Sequence, residues 1–350
     1  MYWPHAGRFV TSLLQVKAPI AMSSQQGLSP VESLEILVLV DNVTDGLSST
    51  PANIESEFVS TTRRGLRASS ARCLCCAVHG LSCLITTTRG ETRHTVLFDS
   101  GPEDYAFERN TTRLGADLGT VESIVLSHGH WDHSGAMFLA LNAIRARNGG
   151  RRVPYYAHPE MFRSRAMRLP NGGLRMMDDV PGIDDMTSLG ADVVCTREPQ
   201  FFLDDMFYVS GEVPRVTPFE RGLPGQVRRT TDGQDWEPDE LLMDERWLAV
   251  NVAGKGVFVF SACSHAGIVN VLTHARAAFR GIPIYGVMGG FHLSGANEAI
   301  IPDTVAALGD FDLKAVAAGH CTGWRALAAL SNAFGDQVLT PTAVGKRFRF

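Results

Sequence analysis

No stretch of this 350-residue sequence approaches the length of a bilayer crossing. A spanning helix needs about 20 apolar residues, and apolar runs such as 36–40 and 257–260 are far shorter. No membrane association is expected. The first 21 residues carry Arg8 and Lys17 but no sustained apolar run, so they make a poor secretory signal. An excess of positive charge is missing too: the net charge is −5, which removes the overall basic character that would point to nucleic acid. Cysteine is scarce and odd in number. Seven residues (73, 75, 76, 83, 195, 263 and 321) in so long a chain do not make a disulfide scaffold, and the expected compartment is the cytoplasm. Cys73-Leu74-Cys75-Cys76 with Cys83 offers metal-like spacing, but the surrounding residues 76–78 and 81–85 read as strand bearing free core thiols.

What the chain does have is apolar content, 45%, enough to bury a sizeable core in one large domain or two ordinary ones. Met22 with Ser23 and Ser24 looks like a second plausible start, and residues 1–33 are expected to form a disordered or peripheral tail. The domain then runs from 34 to 350. Strands are expected at 35–40, 81–87, 95–98 and 121–126, with a polar loop at 43–72 and partial helix at 103–117. Met137, Ala140, Leu141 and Ile144 recur at core-facing helical spacing, with Ser134 as the N-cap. Residues 160–240, punctuated by Gly, Pro, Asp and Arg, read as a pocket-shaping insertion over the site. Later strands at 247–252, 257–260, 283–287 and 314–317 alternate with helices. Hairpins in both halves beside this alternation give an α/β fold, two mixed sheets face to face with helices on both outer faces.

The densest chemistry lies in Ser127-His128-Gly129-His130-Trp131-Asp132-His133-Ser134-Gly135, where a strand hands over to a helix. On an extended approach His128 and His130 project to one side, while Asp132 and His133 follow the turn at Trp131. Imidazole and carboxylate at this density read as a metal cradle; the competing reading, a polar turn with incidental histidines, would leave costly buried groups without partners. Three more histidines, His265, His292 and His320, stand at later strand ends beside Gly, Ser or Cys. Asp41 and Asp99 also end strands, and Glu212 follows 207–210. His79, His94 and His158 have no clear role.

The motif His128-x-His130-x-Asp132-His133 resembles the metal signature of the metallo-β-lactamase superfamily, with Asp99-Ser100-Gly101 similar to its acid turn and His320 similar to its last ligand. The resemblance runs from about residue 35 to 350 and implies the αββα sandwich of that family. Asp41-Asn42, His79-Gly80-Leu81-Ser82, residues 210–215, Asp244-Glu245, residues 263–270, residues 289–293 and residues 319–323 are similar to its branch labelled dihydropterin-ribofuranosylaminobenzene phosphate synthase. By analogy His128, His130 and His265 form one metal site and Asp132, His133 and His320 the other. The family commonly supplies a bridging Asp after the strand that here ends in Ser261-Ala262-Cys263, and no acid stands at that turn. His265 is the candidate ligand from this turn and Glu212 a substitute carboxylate; Asp99 and Asp41 are further candidates, Asp99 chiefly for orienting a histidine.

Zinc, one or two ions, is the expected cofactor, with manganese or iron as alternatives. Redox di-iron chemistry fits less well, since the related oxygen-reducing branch resembles this motif with Glu where His130 stands. The expected function is a metal-dependent hydrolase using activated water on a small phosphoester or other ester-like electrophile, Asp132 serving as acid or base and His292 contacting substrate or donating to a ligand from behind, ahead of ligating the metal itself. A dihydropterin transferase and a non-catalytic metal-binding protein are the alternatives. The expected partner is a small-molecule substrate, and a homodimer is allowed.

Overall fold

The computed structural model describes residues 27–67 and 70–350. Most of the segment 1–33, and the alternative start at Met22, lie outside those residues. From Leu28 onward, however, the expected tail is already part of the fold: Leu28 is buried, and Pro30–Val31 pairs in parallel with Leu248–Val252. Ser33–Val40 follows directly. The boundary expected at 34 therefore falls several residues late, because a two-residue strand carries no readable alternation.

Two large sheets make the core. The first is ordered Ala191–Cys195, Val153–Ala157, Val121–Val125, Thr92–Phe98, Ser82–Arg89, Ser33–Val40, Arg347–Arg349 and Ile54–Glu55. The second is ordered Gln200–Phe202, Phe207–Val209, Leu248–Val252, Gly256–Ser261, Ile284–Gly290 and Ala315–Gly319. Their inner faces share one apolar cluster, in which Ile36, Val38, Ile85 and Phe98 meet Phe207, Val250, Phe258 and Phe260. Each outer face is covered by helices, as their apolar stripes require. Met137, Ala140, Leu141 and Ile144 of Met137–Arg147 bury against the first sheet with Phe107 of Asp104–Leu114. Ile268–Ala278, Ile301–Leu308 and Trp324–Phe334 cover the second. The chain's outer strands cross over: Pro30–Val31 joins the second sheet, while Arg347–Arg349 pairs with Ser33–Val40 in the first.

Residues 160–240 are not one insertion. Ala191–Cys195 extends the first sheet, and Gln200–Phe202 with Phe207–Val209 forms the edge of the second. Only a separate four-stranded sheet, Trp236–Pro238, Gln226–Arg229, Arg165–Arg168 and Leu174–Met176, is additional. Strands of three to five residues separated by Gly and Pro show too few alternations to be read as sheet. Two smaller expectations also change. Ser134 ends the single turn Trp131–Ser134, its hydroxyl donating to His130 O, and does not cap the helix. Residues 76–78 are loop, where Cys75 and Cys76 donate backbone N–H groups to Glu57 and Asn110.

Register decides where the chemistry converges. Thr92–Phe98 runs parallel to Val121–Val125, and Gly256–Ser261, Ile284–Gly290 and Ala315–Gly319 run parallel to one another. Their carboxyl ends open at one edge of the sandwich, the usual place for a site in such sheets. Leu248–Val252 enters antiparallel, Leu248 opposite Phe260, so Asp244, Glu245 and Arg246 reach the same edge from the other direction.

Candidate metal centre

After Val121–Val125 the chain bends at His128 and Gly129, is extended at His130 (φ −106°, ψ 147°), and then turns into Trp131–Ser134. That bend, and not the straight extended approach expected from the spacing, sets the His128 and His130 rings side by side, 4.7 Å between centroids. Gly129 between them is clamped on both backbone groups: its N–H donates to Asp244 Oδ2 (2.9 Å) and its carbonyl accepts from Arg165 Nη1 (3.0 Å). A β-carbon there would lie 2.5 Å from Met161 O, so the clamp closes only around glycine. His265 arrives from the turn after Gly256–Ser261, with ring centroids 4.9 Å from His128 and 4.8 Å from His130. Glu245 holds that turn, accepting from His265 N (2.8 Å) and Ala266 N (2.6 Å).

Beside this triad the structure gathers Asp132, His133, His320 and Cys263. Cys263 Sγ lies 3.2 Å from both His133 Nε2 and His320 Nε2, and these two nitrogens are 3.2 Å apart. Asp132 Oδ2 is 3.4 Å from His320 Nε2 and 3.6 Å from His133 Nε2. His128, His130 and His265 therefore come together as one ligand group, and Asp132, His133 and His320 as part of another.

The hydrogen bonds behind the rings say what belongs between them. His133 Nδ1–H donates to Asp99 Oδ2 (2.7 Å), and His320 Nδ1–H to Asn42 Oδ1 (3.0 Å). Ser127 Oγ–H donates to the same Asp99 oxygen, so it accepts from His128 Nδ1–H (2.9 Å). His130 Nε2–H donates to Gln226 Oε1 (2.7 Å). Each neutral imidazole has one N–H, and here it points outward. The inward nitrogens of the neutral pair, His128 Nε2 and His130 Nδ1, then face each other as bare lone pairs at 3.1 Å, while between His133 Nε2 and His320 Nε2, 3.2 Å apart, a proton on His133 holds the place a metal ion would take. Both ring nitrogens of buried His265 lack a partner. Lone pairs so close are repulsive unless a cation lies between them. The spacing suits one, since tetrahedral zinc with bonds of about 2.0–2.1 Å sets its nitrogen ligands about 3.3 Å apart.

The electrostatics separate the two groups. Burial holds His128 well below the usual imidazole range and His130 at about 4, and burial with the neighbouring His292 ring depresses His265. That triad is neutral and ready to coordinate. In the other group burial also opposes charge, but Asp132 and then Asp99 outweigh it and hold His133 at about 9. Asp132 is itself kept well below its usual range, burial notwithstanding, by His133 and His320. This group already favours positive charge at its centre.

Not every candidate residue joins these groups. Glu212 is taken by His158 Nε2 (3.2 Å) and Arg197 Nη1 (2.7 Å), and it does not stand in for the absent acid. Asp41 accepts from His320 N and Thr342 and supports the turn without reaching the cluster. Asp99 lies behind His133. His292, in the left-handed region at φ 43°, sets its ring 4.3 Å from His265 and gathers with Cys263 and Cys321. The Cys73 to Cys83 set forms no ligand group among the described residues. Cys263 is the ligand candidate that sequence reasoning passed over, although it stands in the very turn where an acid was sought. His79, Asn42 and Gln226 were likewise given no role; His79 Nε2, more than half exposed, is 3.4 Å from Asp132 Oδ2.

Comparison with known proteins adds the kinship of this arrangement. A family model described as the metallo-beta-lactamase superfamily matches residues 80–239. An uncharacterized protein of Methanocaldococcus jannaschii is 30% identical over 256 residues, spanning 73% of this chain and 88% of that protein. A 7,8-dihydropterin-6-methyl-4-(beta-D-ribofuranosyl)-aminobenzene-5'-phosphate synthase of the same organism is 29% identical over 252 residues, 71% of this chain and 82% of that one. Among solved structures, a metal-dependent hydrolase of the beta-lactamase superfamily superposes with a TM-score of 0.65 at 21% identity, covering 90% of this chain and 98% of its own.

Proposed function

From the premise that the chain belongs to the metallo-beta-lactamase superfamily, we propose that it is a metal-dependent enzyme with a two-ion centre that turns water on a small phosphoester or other ester-like electrophile. The observation that carries this reading is the set of inward-facing ring nitrogens, 3.1–3.2 Å apart, backed by outward N–H donors. His128, His130 and His265 would hold one ion, and Asp132, His133, Cys263 and His320 the other. Imidazole and thiolate donors favour zinc over manganese or iron. When bound, zinc lowers the pKa of a coordinated water to about 7 and polarises the electrophile.

The chain's own residues supply the rest. Asp132, 3.4 Å from His79 Nε2, is placed to exchange a proton with a ring that meets solvent. His292 lines the space beside His265, where it would contact substrate. Arg165 and Asp244 fix the backbone of Gly129, and so the pitch of His128 and His130, without touching substrate.

A second reading is transfer onto a dihydropterin, and the specific observation in its favour is the 29% identity to the M. jannaschii synthase across 82% of that protein. One purified preparation separates the two. Metal analysis should give two zinc equivalents per chain, and a panel of esters, phosphodiesters, thioesters and lactams should reveal turnover lost in His130→Ala. Full zinc content with no turnover on that panel, but saturable binding of a dihydropterin, would replace the hydrolase with the transferase. Absence of stoichiometric metal would sink both.

A further inference from the structure

Cys321 belongs to neither ligand group assigned above, yet it is buried against one of them. It follows His320 in the turn His320–Thr322, while Cys263 follows Gly256–Ser261. Those elements flank Ile284–Gly290 on opposite sides, Ser261 opposite Gly289 and Gly319 opposite Gly290. The two thiols meet across the end of that strand with 3.3 Å between sulfurs. Gly290 makes the meeting possible, since a β-carbon there would lie 2.5 Å from Cys321 Sγ and 2.6 Å from Ala262 O. No other pair of sulfurs is hydrogen-bonded among the described residues, and all seven cysteines are free thiols.

We propose that Cys263 and Cys321 form a reversible oxidation site, converted to a disulfide by hydrogen peroxide. The Cys263 sulfur attacks one peroxide oxygen, the O–O bond breaks, and hydroxide leaves with the thiol proton as water, giving a sulfenic acid. The Cys321 sulfur then attacks the sulfenic sulfur, the S–O bond breaks, and the second hydroxide leaves with the Cys321 proton as water. Two thiols and one peroxide become one disulfide and two waters. Joining the sulfurs requires closing from 3.3 Å to about 2.0 Å. The new bond withdraws Cys263 from the group it shares with Asp132, His133 and His320, so oxidation expels the ion held there. That consequence rests on the two-ion reading; the disulfide itself does not.

The test uses the full-length protein, zinc-loaded and chelator-stripped, treated with stoichiometric hydrogen peroxide, then alkylated and mapped by mass spectrometry while released zinc is counted. The stripped protein should yield a Cys263–Cys321 linked peptide and lose two titratable thiols, both restored by dithiothreitol. The zinc-loaded protein should react more slowly and release one equivalent as it does. Cys321→Ser, or Cys321→Ala should serine disturb the turn, should keep full zinc content, give no linked peptide, and, with a second equivalent of hydrogen peroxide, carry Cys263 on to the sulfinic acid that dithiothreitol cannot reverse. Oxidation of Cys263 with Cys321 still open to alkylation would overturn the proposal. So would loss of a zinc equivalent in both Cys321 variants, which would make Cys321 a resident ligand. A linked peptide from a protein that never binds zinc would uphold the thiol pair and remove the two-ion reading instead.

Discussion

Replacing Arg165 by Met should be among the most damaging changes outside the ligand groups. The guanidinium is 2% exposed and sits between two buried carboxylates, Nε to Asp239 Oδ2 at 2.8 Å and Nη2 to Asp244 Oδ2 at 2.9 Å. It also donates to Gly129 O, Met161 O and Glu160 O. Removing one member of a buried pair costs about 3–5 kcal/mol, because the partner is left as uncompensated charge. Here Asp244 loses its cation outright and Asp239 keeps only the longer contact to Arg228 at 3.6 Å, and burial already raises Asp239 even with Arg165 present. Arg165→Met should therefore lose at least the upper part of that range, a large fraction of a typical stability of about 5–15 kcal/mol. Urea denaturation of chelator-stripped protein is the assay, so that metal linkage does not enter. Arg165→Met/Asp239→Asn/Asp244→Asn removes the stranded charges and should recover part of the loss. If the triple variant is no more stable than the single one, charge burial is not what Arg165 relieves, and the reasoning fails.

Asp99→Asn takes the carboxylate from His133 Nδ1 and from Ser127, and zinc affinity should fall about 10- to 100-fold by competition titration while the fold is retained. An unchanged affinity would show that Asp99 does not set the ring's orientation. The raised His133 gives a pH dependence of definite sign: a histidine at about 9 when folded contributes stability that is whole below about 6.5 and lost as pH rises through 9. Stripped protein should thus weaken across that window, whereas zinc binding should tighten, having fewer protons to displace; a flat affinity from pH 6.5 to 8.5 contradicts this. The charged group with Asp132 and Cys263 should fill before the three-imidazole group, so His265→Ala should lose only the weaker zinc equivalent and Cys263→Ser the tighter one. Loss in the opposite order refutes the electrostatic ranking.

Much of the fold was readable because its elements obey simple periods. The stripe Met137, Ala140, Leu141 and Ile144 lies on the first sheet as its spacing required. The strands 82–89, 92–98, 121–125, 248–252, 256–261 and 284–290 are long or apolar enough to announce themselves. What escaped were pairings made at long range by very short segments. Pro30–Val31 is a strand only because Asn251 and Val252 lie beside it. Arg165–Arg168 and Gln226–Arg229 pair across some sixty residues of sequence, and their arginines look like surface until Asp239, Asp244 and Glu237 are brought to them.

The site divides along the same physical line. Candidate ligands that share a local motif, His128, His130, Asp132 and His133, are visible because their spacing alone places them together. His265 and His320 could be added because each ends a recognisable strand. Cys263 could not be assigned by residue type, since a buried thiol is more often an inert packing group than a ligand. Only the convergence of His133 and His320 at 3.2 Å from its sulfur makes it a candidate donor. The acid missing from that turn has not been replaced from elsewhere, as Glu212 is committed to His158 and Arg197. In the proposed two-ion centre the bound ion would deprotonate Cys263, whose sulfur would then carry the negative charge that the second group needs and favour zinc. The same exchange places an oxidisable atom at the centre, 3.3 Å from a second thiol that a carboxylate would have left without a partner.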